Sequence, residues 1–256
     1  YRLTEKNYFF NHIAGLFFSS SVSELKRLCS LTKADCIVCT HPFALMLASK
    51  LKKKLKHSTP AIMGIVTDYK LHRFWIYPQI DLYFVPSEEM KEDLLRLGWN
   101  GDRIKVTGVP CPPDIGFDIN TRWQGKPYWL VSGGGWGLGN LEATTLSLLE
   151  KQTECMLMVV TGENKALYER LKIIEAKNPG RLIVTGTIPK LYKTMKNALA
   201  VLTKPGGLTV TEAMILRKPL ILLEPLPGAE EKNLDYLVRQ GAAISYSTFI
   251  KQTDII

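Results

Sequence analysis

Apolar runs of strand length alternate with amphipathic segments of helix length along almost the whole chain, and that alternation leaves few folds open. Strands joined by helical crossovers pair in parallel, and a parallel sheet needs helices on both of its faces. In the first half the pattern predicts a helix through Glu24–Cys29, a strand at Asp35–Cys39 and a helix from Phe43 to Leu55. Strands at Ala61–Val66 and Leu82–Val85 follow. A helix over Glu88–Leu97, with Ser87 as N-cap and Gly98 just past its end, precedes a strand at Ile104–Val109. Three prolines between Pro110 and Gly116 can continue neither element, which puts the interdomain linker between Pro110 and Lys126. The cycle then restarts. Strands are predicted at Tyr128–Ser132, Met156–Thr161, Arg181–Val184, Ala200–Thr203, Pro219–Leu223 and Ala242–Ser245, with helices between them, the first over Asn140–Glu150. The fold class is α/β, in two doubly wound domains over residues 1–120 and 121–256.

Charge and cysteine content narrow the partners. The net charge of +9 is spread evenly, with 17 basic against 12 acidic residues through Trp123 and 16 against 12 after it. Neither half is a nucleic-acid-binding arm. Locally, Lys50-Leu-Lys-Lys-Lys-Leu-Lys56 is dense, with Lys52, Lys53 and Lys54 at its centre. Such a cluster suits an anionic membrane surface, at about 1 kcal/mol per basic residue, and equally suits a solvated helix end. Arg73, Phe74, Trp75 and Tyr77 have the character of a membrane interface or of core packing. No apolar run is long enough to span a bilayer. Five cysteines, an odd number, suggest a reducing compartment, and Cys36 and Cys39 read as buried thiols without a second pair to make a metal site.

Two stretches carry candidate chemistry. Ser132-Gly-Gly-Gly-Trp-Gly-Leu-Gly-Asn140 joins a strand to a helix, the position that cradles a pyrophosphate; Ser132, Gly133, Gly134 and Gly135 are its candidate donors. It lacks a Walker lysine and the G-x-G-x-x-G spacing. The second stretch, Lys204 to Asn233, reads KPGGLTVTEAMILRKPLILLEPLPGAEEKN. Its glycines admit a ligand to the backbone at a helix start predicted near Thr209, while Glu212, one turn in, repels phosphate and suits sugar hydroxyls. An ordinary crossover with a tight turn has the same pattern.

The run KPGGLTVTEA followed by LPGAEEKN resembles the donor signature of the UDP-sugar glycosyltransferases that include diacylglycerol glycosyltransferases and monogalactosyldiacylglycerol synthases. The peptidoglycan N-acetylglucosaminyltransferases are more distant relatives. Val66 to Pro110 resembles the acceptor half of the lipid-glycosylating members, and the likeness runs from about Ala34 onward. The resemblance implies a GT-B type fold, two Rossmann-like domains facing a cleft. Related enzymes open with a strand and a glycine-rich loop carrying a histidine, which nothing before Asp35 matches; the segment at NYFFNHIAGLFFSS reads as the helix or loop after it. The expectation is therefore a first domain truncated at its N-terminus and a second stopping before a closing helix.

The resemblance also implies roles. Backbone near Gly186, Thr187 and Ile188 would read uracil, Glu212 would bind ribose, and Gly206, Gly207 and Thr211 would surround the phosphates. Glu230, Glu231 and Asn233 would face the hexose, and Lys204 would stabilise the departing UDP. For the acceptor hydroxyl, Asp68 with His72, or His41, are the candidate acid–base groups, though Asp68 could cap a turn and His72 lie on the surface. No metal motif or cofactor is implied: a UDP-glucose or UDP-galactose donor and diacylglycerol or another lipid acceptor would meet at the cytoplasmic face of a membrane, the protein binding peripherally. The reaction implied is inverting hexosyl transfer. Peptidoglycan-type transfer, a UDP-sugar 2-epimerase and a non-catalytic nucleotide-binding paralogue are the alternatives.

Overall fold

The computed structural model describes residues 19–55, 60–116, 125–151 and 155–253, which form two compact units dividing after Pro110, residues 227–229 aside. The sequence segment NYFFNHIAGLFFSS (all but its last two residues), Lys56 and most of the linker lie outside the described residues.

The first unit runs α1 (Ser19–Thr32), β1 (Cys36–Cys39), α2 (Pro42–Leu55), β2 (Ala61–Ile65), β3 (Leu82–Val85), α3 (Glu88–Arg96) and β4 (Ile104–Val106). Its sheet is parallel throughout, in the order β1-β2-β3-β4. Leu45, Ile62, Tyr83, Met90, Leu94 and Ile104, all essentially inaccessible, make its core. The Ser87 hydroxyl caps α3 by accepting from the Met90 N–H at 3.3 Å, and Gly98, at φ +87°, lets the chain leave the helix.

The second unit contains β5 (Tyr128–Ser132), α4 (Leu141–Lys151), β6 (Met156–Val160), α5 (Lys165–Lys177), β7 (Leu182–Thr185), α6 (Leu191–Met195), β8 (Ala200–Thr203), α7 (Gly207–Ile215), β9 (Leu220–Leu222), α8 (Ala229–Arg239), β10 (Ile244–Ser245) and α9 (Tyr246–Thr253). The strand order is β10-β9-β8-β5-β6-β7, all parallel. This is the doubly wound order in which the first and fourth strands are neighbours and the chain winds away from that seam in both directions. Every residue of β6, β8 and β9 is buried, as a strand covered on both faces must be. The predicted absence of a helix after the last strand is corrected: α9 follows β10, its Phe249 ring meeting Trp129 edge-on at 5.6 Å, because Tyr246 and Phe249 supply an apolar face that packs on the core.

Candidate active site

At the β5–β8 seam the connections leave in opposite directions and open a crevice at the strands' C-terminal ends. Both glycine-bearing stretches singled out by sequence fall there. Between them lies a pocket of about 370 Å³ bounded by Ser132, Gly134 and Gly135 after β5, Gly162 after β6, Thr187 and Ile188 after β7, and Leu208, Thr209 and Glu212 of α7. Pro112, Lys190 and Tyr192 complete one end of it.

The glycines divide by task. A Cβ on Gly133 would stand 2.3 Å from the Leu138 carbonyl oxygen, one on Gly137 2.1 Å from that of Thr161, and one on Gly162 2.3 Å from that of Gly135. These three let backbone pack on backbone, and Gly137 and Gly162 also have positive φ. Leu138 N–H to Gly133 O (3.0 Å) and Glu163 N–H to Gly135 O (2.8 Å) fasten the loop. Asn164 caps α5 through its Oδ1 and reaches Gly137 O with its Nδ2 at 3.4 Å. Gly135 faces open space and borders the pocket, so it, with Gly134, is where a ligand can approach. Ser132 is fully buried, and its hydroxyl accepts from the Gly134 N–H at 3.3 Å. Trp136 projects outward, 73% exposed.

Helix α7 begins at Gly207, two residues before the predicted start near Thr209. Leu208, Thr209 and Glu212 line the pocket, whereas Thr211 is buried with its hydroxyl donating to Gly207 O at 2.6 Å. Thr209 therefore takes the pocket position expected of Thr211. Burial raises the Glu212 carboxyl above the ordinary glutamate range. Gly206 is the residue before α7, extended, and a Cβ there would lie 3.5 Å from the Lys204 Nζ.

The residues expected to face a hexose lie on and just after the first turn of α8. Glu230 forms an ion pair with Lys204 and accepts from the Leu226 N–H at 3.0 Å. Asn233 is fully buried and donates to Pro205 O at 3.1 Å, which ties α8 to the loop after β8. Glu231 is half-buried on the same first turn. Gly186 stands beside the pocket residues Thr187 and Ile188, and the Thr187 hydroxyl donates to Glu163 at 2.8 Å.

In the first unit, the segments following β1 and β2 gather the acceptor-side candidates. Asp68 Oδ2 accepts from Trp75 Nε1–H at 2.9 Å and meets His72 Nε2 at 3.1 Å. His72 is 6% exposed, so the surface reading of this residue fails. His41 is exposed and accepts from the Phe43 N–H through Nδ1 at 3.3 Å; a neutral imidazole used that way carries its proton on Nε2. An aromatic string, His41, Phe43, Phe74 and His72, links neighbours at centroid spacings of 5.3, 6.3 and 6.0 Å.

Two membrane-facing expectations need correction. Trp75 is wholly buried in the core and Tyr77 packs against it, because the indole N–H has its acceptor in Asp68 and the ring can leave water; only Arg73 is exposed in that run, with Phe74 half-buried. Of the lysines, Lys52 is drawn into an ion pair with Asp81, whereas Lys53 and Lys54 are exposed at the end of α2. Cys39 is buried, its thiol pushed up to about 11 by burial. Among the described residues no cluster could hold a metal ion and no helix is long and apolar enough to cross a membrane.

Comparison with known proteins agrees with this layout. The family model for monogalactosyldiacylglycerol (MGDG) synthase matches residues 1–111. A processive diacylglycerol beta-glucosyltransferase of Bacillus cereus (strain B4264) is 31% identical over 241 residues, covering 91% of this chain and 61% of the relative. One of the same name from Bacillus thuringiensis (strain Al Hakam) is 30% identical over 241 residues. The chain thus spans about three fifths of the length of these relatives. Among solved structures, S. aureus MnaA with UDP has a TM-score of 0.65 at 17% identity, covering 88% of this chain and 65% of that one. Acinetobacter baumannii MurG has a TM-score of 0.57 at 15% identity, covering 91% and 65%. At such identities the likeness is one of fold, two parallel α/β domains of the GT-B type. By sequence, the chain is similar to processive diacylglycerol beta-glucosyltransferases over most of its length and to the MGDG synthase family model over residues 1–111.

Proposed function

We propose that the chain carries the donor site and acceptor-side residues of an inverting glycosyltransferase that moves glucose or galactose from its UDP-sugar to the hydroxyl of diacylglycerol. The pocket at the β5–β8 seam carries this reading. It puts open glycine backbone and the first turn of a helix at one side and a half-buried carboxylate, Glu212, within the same wall. Helix N–H groups suit a diphosphate, and a carboxylate suits paired ribose hydroxyls.

In the reaction the acceptor oxygen attacks the anomeric carbon from the face opposite the diphosphate. The bond from that carbon to the phosphate oxygen breaks, UDP leaves with the electron pair, and the hydroxyl proton passes to a base. Charge growing on UDP would be met by the α7 N-terminus and Lys204, with no metal or cofactor required. Asp68 and His72 form the polar pair proposed to orient the acceptor hydroxyl. Lys53 and Lys54 would hold the protein peripherally on the anionic cytoplasmic face of a membrane.

Calorimetry of the 256-residue chain with UDP, GDP and ADP tests the donor reading. UDP should bind more tightly than the other two; equal binding of all three, or none, would overturn it. Diacylglycerol vesicles supplied with UDP-glucose or UDP-galactose should then release UDP.

A further inference from the structure

One end of the pocket is built by a segment that sequence reading assigned to the linker. Pro112 lines the pocket together with Lys190 and Tyr192. Two residues on, Asp114 binds α6: the Tyr192 hydroxyl donates to both of its carboxylate oxygens, at 2.8 and 2.7 Å, and Lys190 Nζ stands 3.4 Å from Oδ2. The Tyr192 ring is 4% exposed, a rigid anchor within the core, and Ile115 is buried next to the latch. Lys190 itself adopts φ +54° and ψ +54°, a left-handed conformation that costs a side-chain-bearing residue of order 1–3 kcal/mol. The chain therefore holds Lys190 in a strained position in which its ammonium meets Asp114.

We propose that residues 112–114, latched to Tyr192 and Lys190, are the wall that closes the base-binding end of the nucleotide pocket, so that Asp114 is a positioning residue for the donor. This rests on the reading of the pocket as a nucleoside diphosphate site. Gly134, Gly135 and the first turn of α7 give the pocket its backbone donors, while Pro112, Ile188 and Leu191 give it apolar lining that fits a flat heterocycle. Tyr192 keeps its proton, because burial and the neighbouring Asp114 both push its phenol up, and so remains a donor throughout the neutral range. The Asp114 carboxyl lies below its ordinary range, with the Tyr192 hydrogen bond as the largest cause, and so remains the charged acceptor.

The test compares UDP with inorganic pyrophosphate on the full chain by calorimetry, for wild type, Asp114→Ala, Tyr192→Phe and Pro112→Gly, with thermal midpoints recorded alongside. Tyr192→Phe keeps the buried ring, and Pro112→Gly touches neither latch nor core, so at least one variant retains the fold. The latch variants should bind UDP on the order of tenfold more weakly, the scale for a hydrogen bond to a charged group. Pyrophosphate affinity should be unchanged. The double variant Asp114→Ala/Tyr192→Phe should be no worse than the worse single one, since the two groups form one contact. Unchanged UDP affinity in folded variants would overturn the proposal, as would an equal loss for pyrophosphate. If wild type binds no UDP, the nucleotide reading falls first and takes this inference with it.

Discussion

Replacing Glu230 by glutamine should tighten UDP binding, although Glu230 lies in the donor signature. Lys204 sits against the glycine loop, its Cε 3.1 Å from where a Gly134 Cβ would be, and its charge is neutralised by Glu230. A diphosphate arriving at Gly134 therefore meets a neutral pair, and must take the ammonium away from the carboxylate. Both side chains are largely shielded, at 20% and 14% exposure, so the pair is not screened away as a surface bridge would be. A hydrogen bond to a charged group is worth about 1.5–3 kcal/mol, and a carboxylate about 6 Å from a phosphate charge costs about 2–3 kcal/mol at an effective dielectric near 20. The residual exposure lowers this to about 1–2 kcal/mol, at and just below the bottom of those ranges, which is roughly a 5- to 30-fold gain in UDP affinity. Calorimetry of Glu230→Gln, Lys204→Gln and the double variant would read it directly. Lys204→Gln should weaken UDP by at least tenfold, and the double variant should resemble it. A loss of UDP affinity in Glu230→Gln matching that in Lys204→Gln would refute the reasoning, since the pair would then only hold the loop.

Gly133→Ala should lower the thermal midpoint markedly, because its Cβ collides with the Leu138 carbonyl, whereas Gly135→Ala should melt near wild type and show its loss in UDP calorimetry. Glu212→Gln should weaken UDP by about 1–3 kcal/mol while raising the melting temperature at pH 7. The sign follows from a folded-state pKa above the unfolded one: burial penalises the carboxylate fully above the raised value, and melts at falling pH should show the variant's advantage vanish as the unfolded value is passed. Lys53→Gln with Lys54→Gln should reduce co-sedimentation with anionic vesicles by about 1 kcal/mol per residue at low salt; Lys52→Gln should act mainly on stability, through loss of Asp81, when melts are compared.

The parallel α/β character of both units was legible because β-strand runs such as Met156–Val160 and Leu220–Leu222 are apolar at every position, which only a sheet covered on both faces requires. The candidate pocket was legible for a related reason: a seam between outward-winding halves must be crossed by short strand-to-helix loops, and glycine marks where backbone comes close. What glycine does not reveal is whether the approaching atom belongs to a ligand or to the chain itself. Gly133 and Gly135 are neighbours but one in the same run, yet the first meets Leu138 and the second faces open space.

Side-chain partners drawn from distant segments were out of reach for the same underlying reason. Trp75 reads as amphipathic until Asp68 supplies the acceptor that lets its indole leave water, and Lys52 reads like Lys53 until Asp81 claims it. Thr209 and Thr211 lie about 200° apart on α7, at 3.6 residues per turn, so only one of them can line the pocket, and the burial of Thr211 leaves that place to Thr209. Asp114, Lys190 and Tyr192 carried no local signal at all: an aspartate in a proline-rich run and a tyrosine in a short helix are ordinary until the fold puts them 2.7 Å apart. Lys204 and Glu230 belong to the signature, but the sequence presents them as two ligand contacts. Their pairing would set Glu230 in competition with a diphosphate for Lys204, which is why the sign of the Glu230→Gln effect separates a counter-ion from a sugar contact.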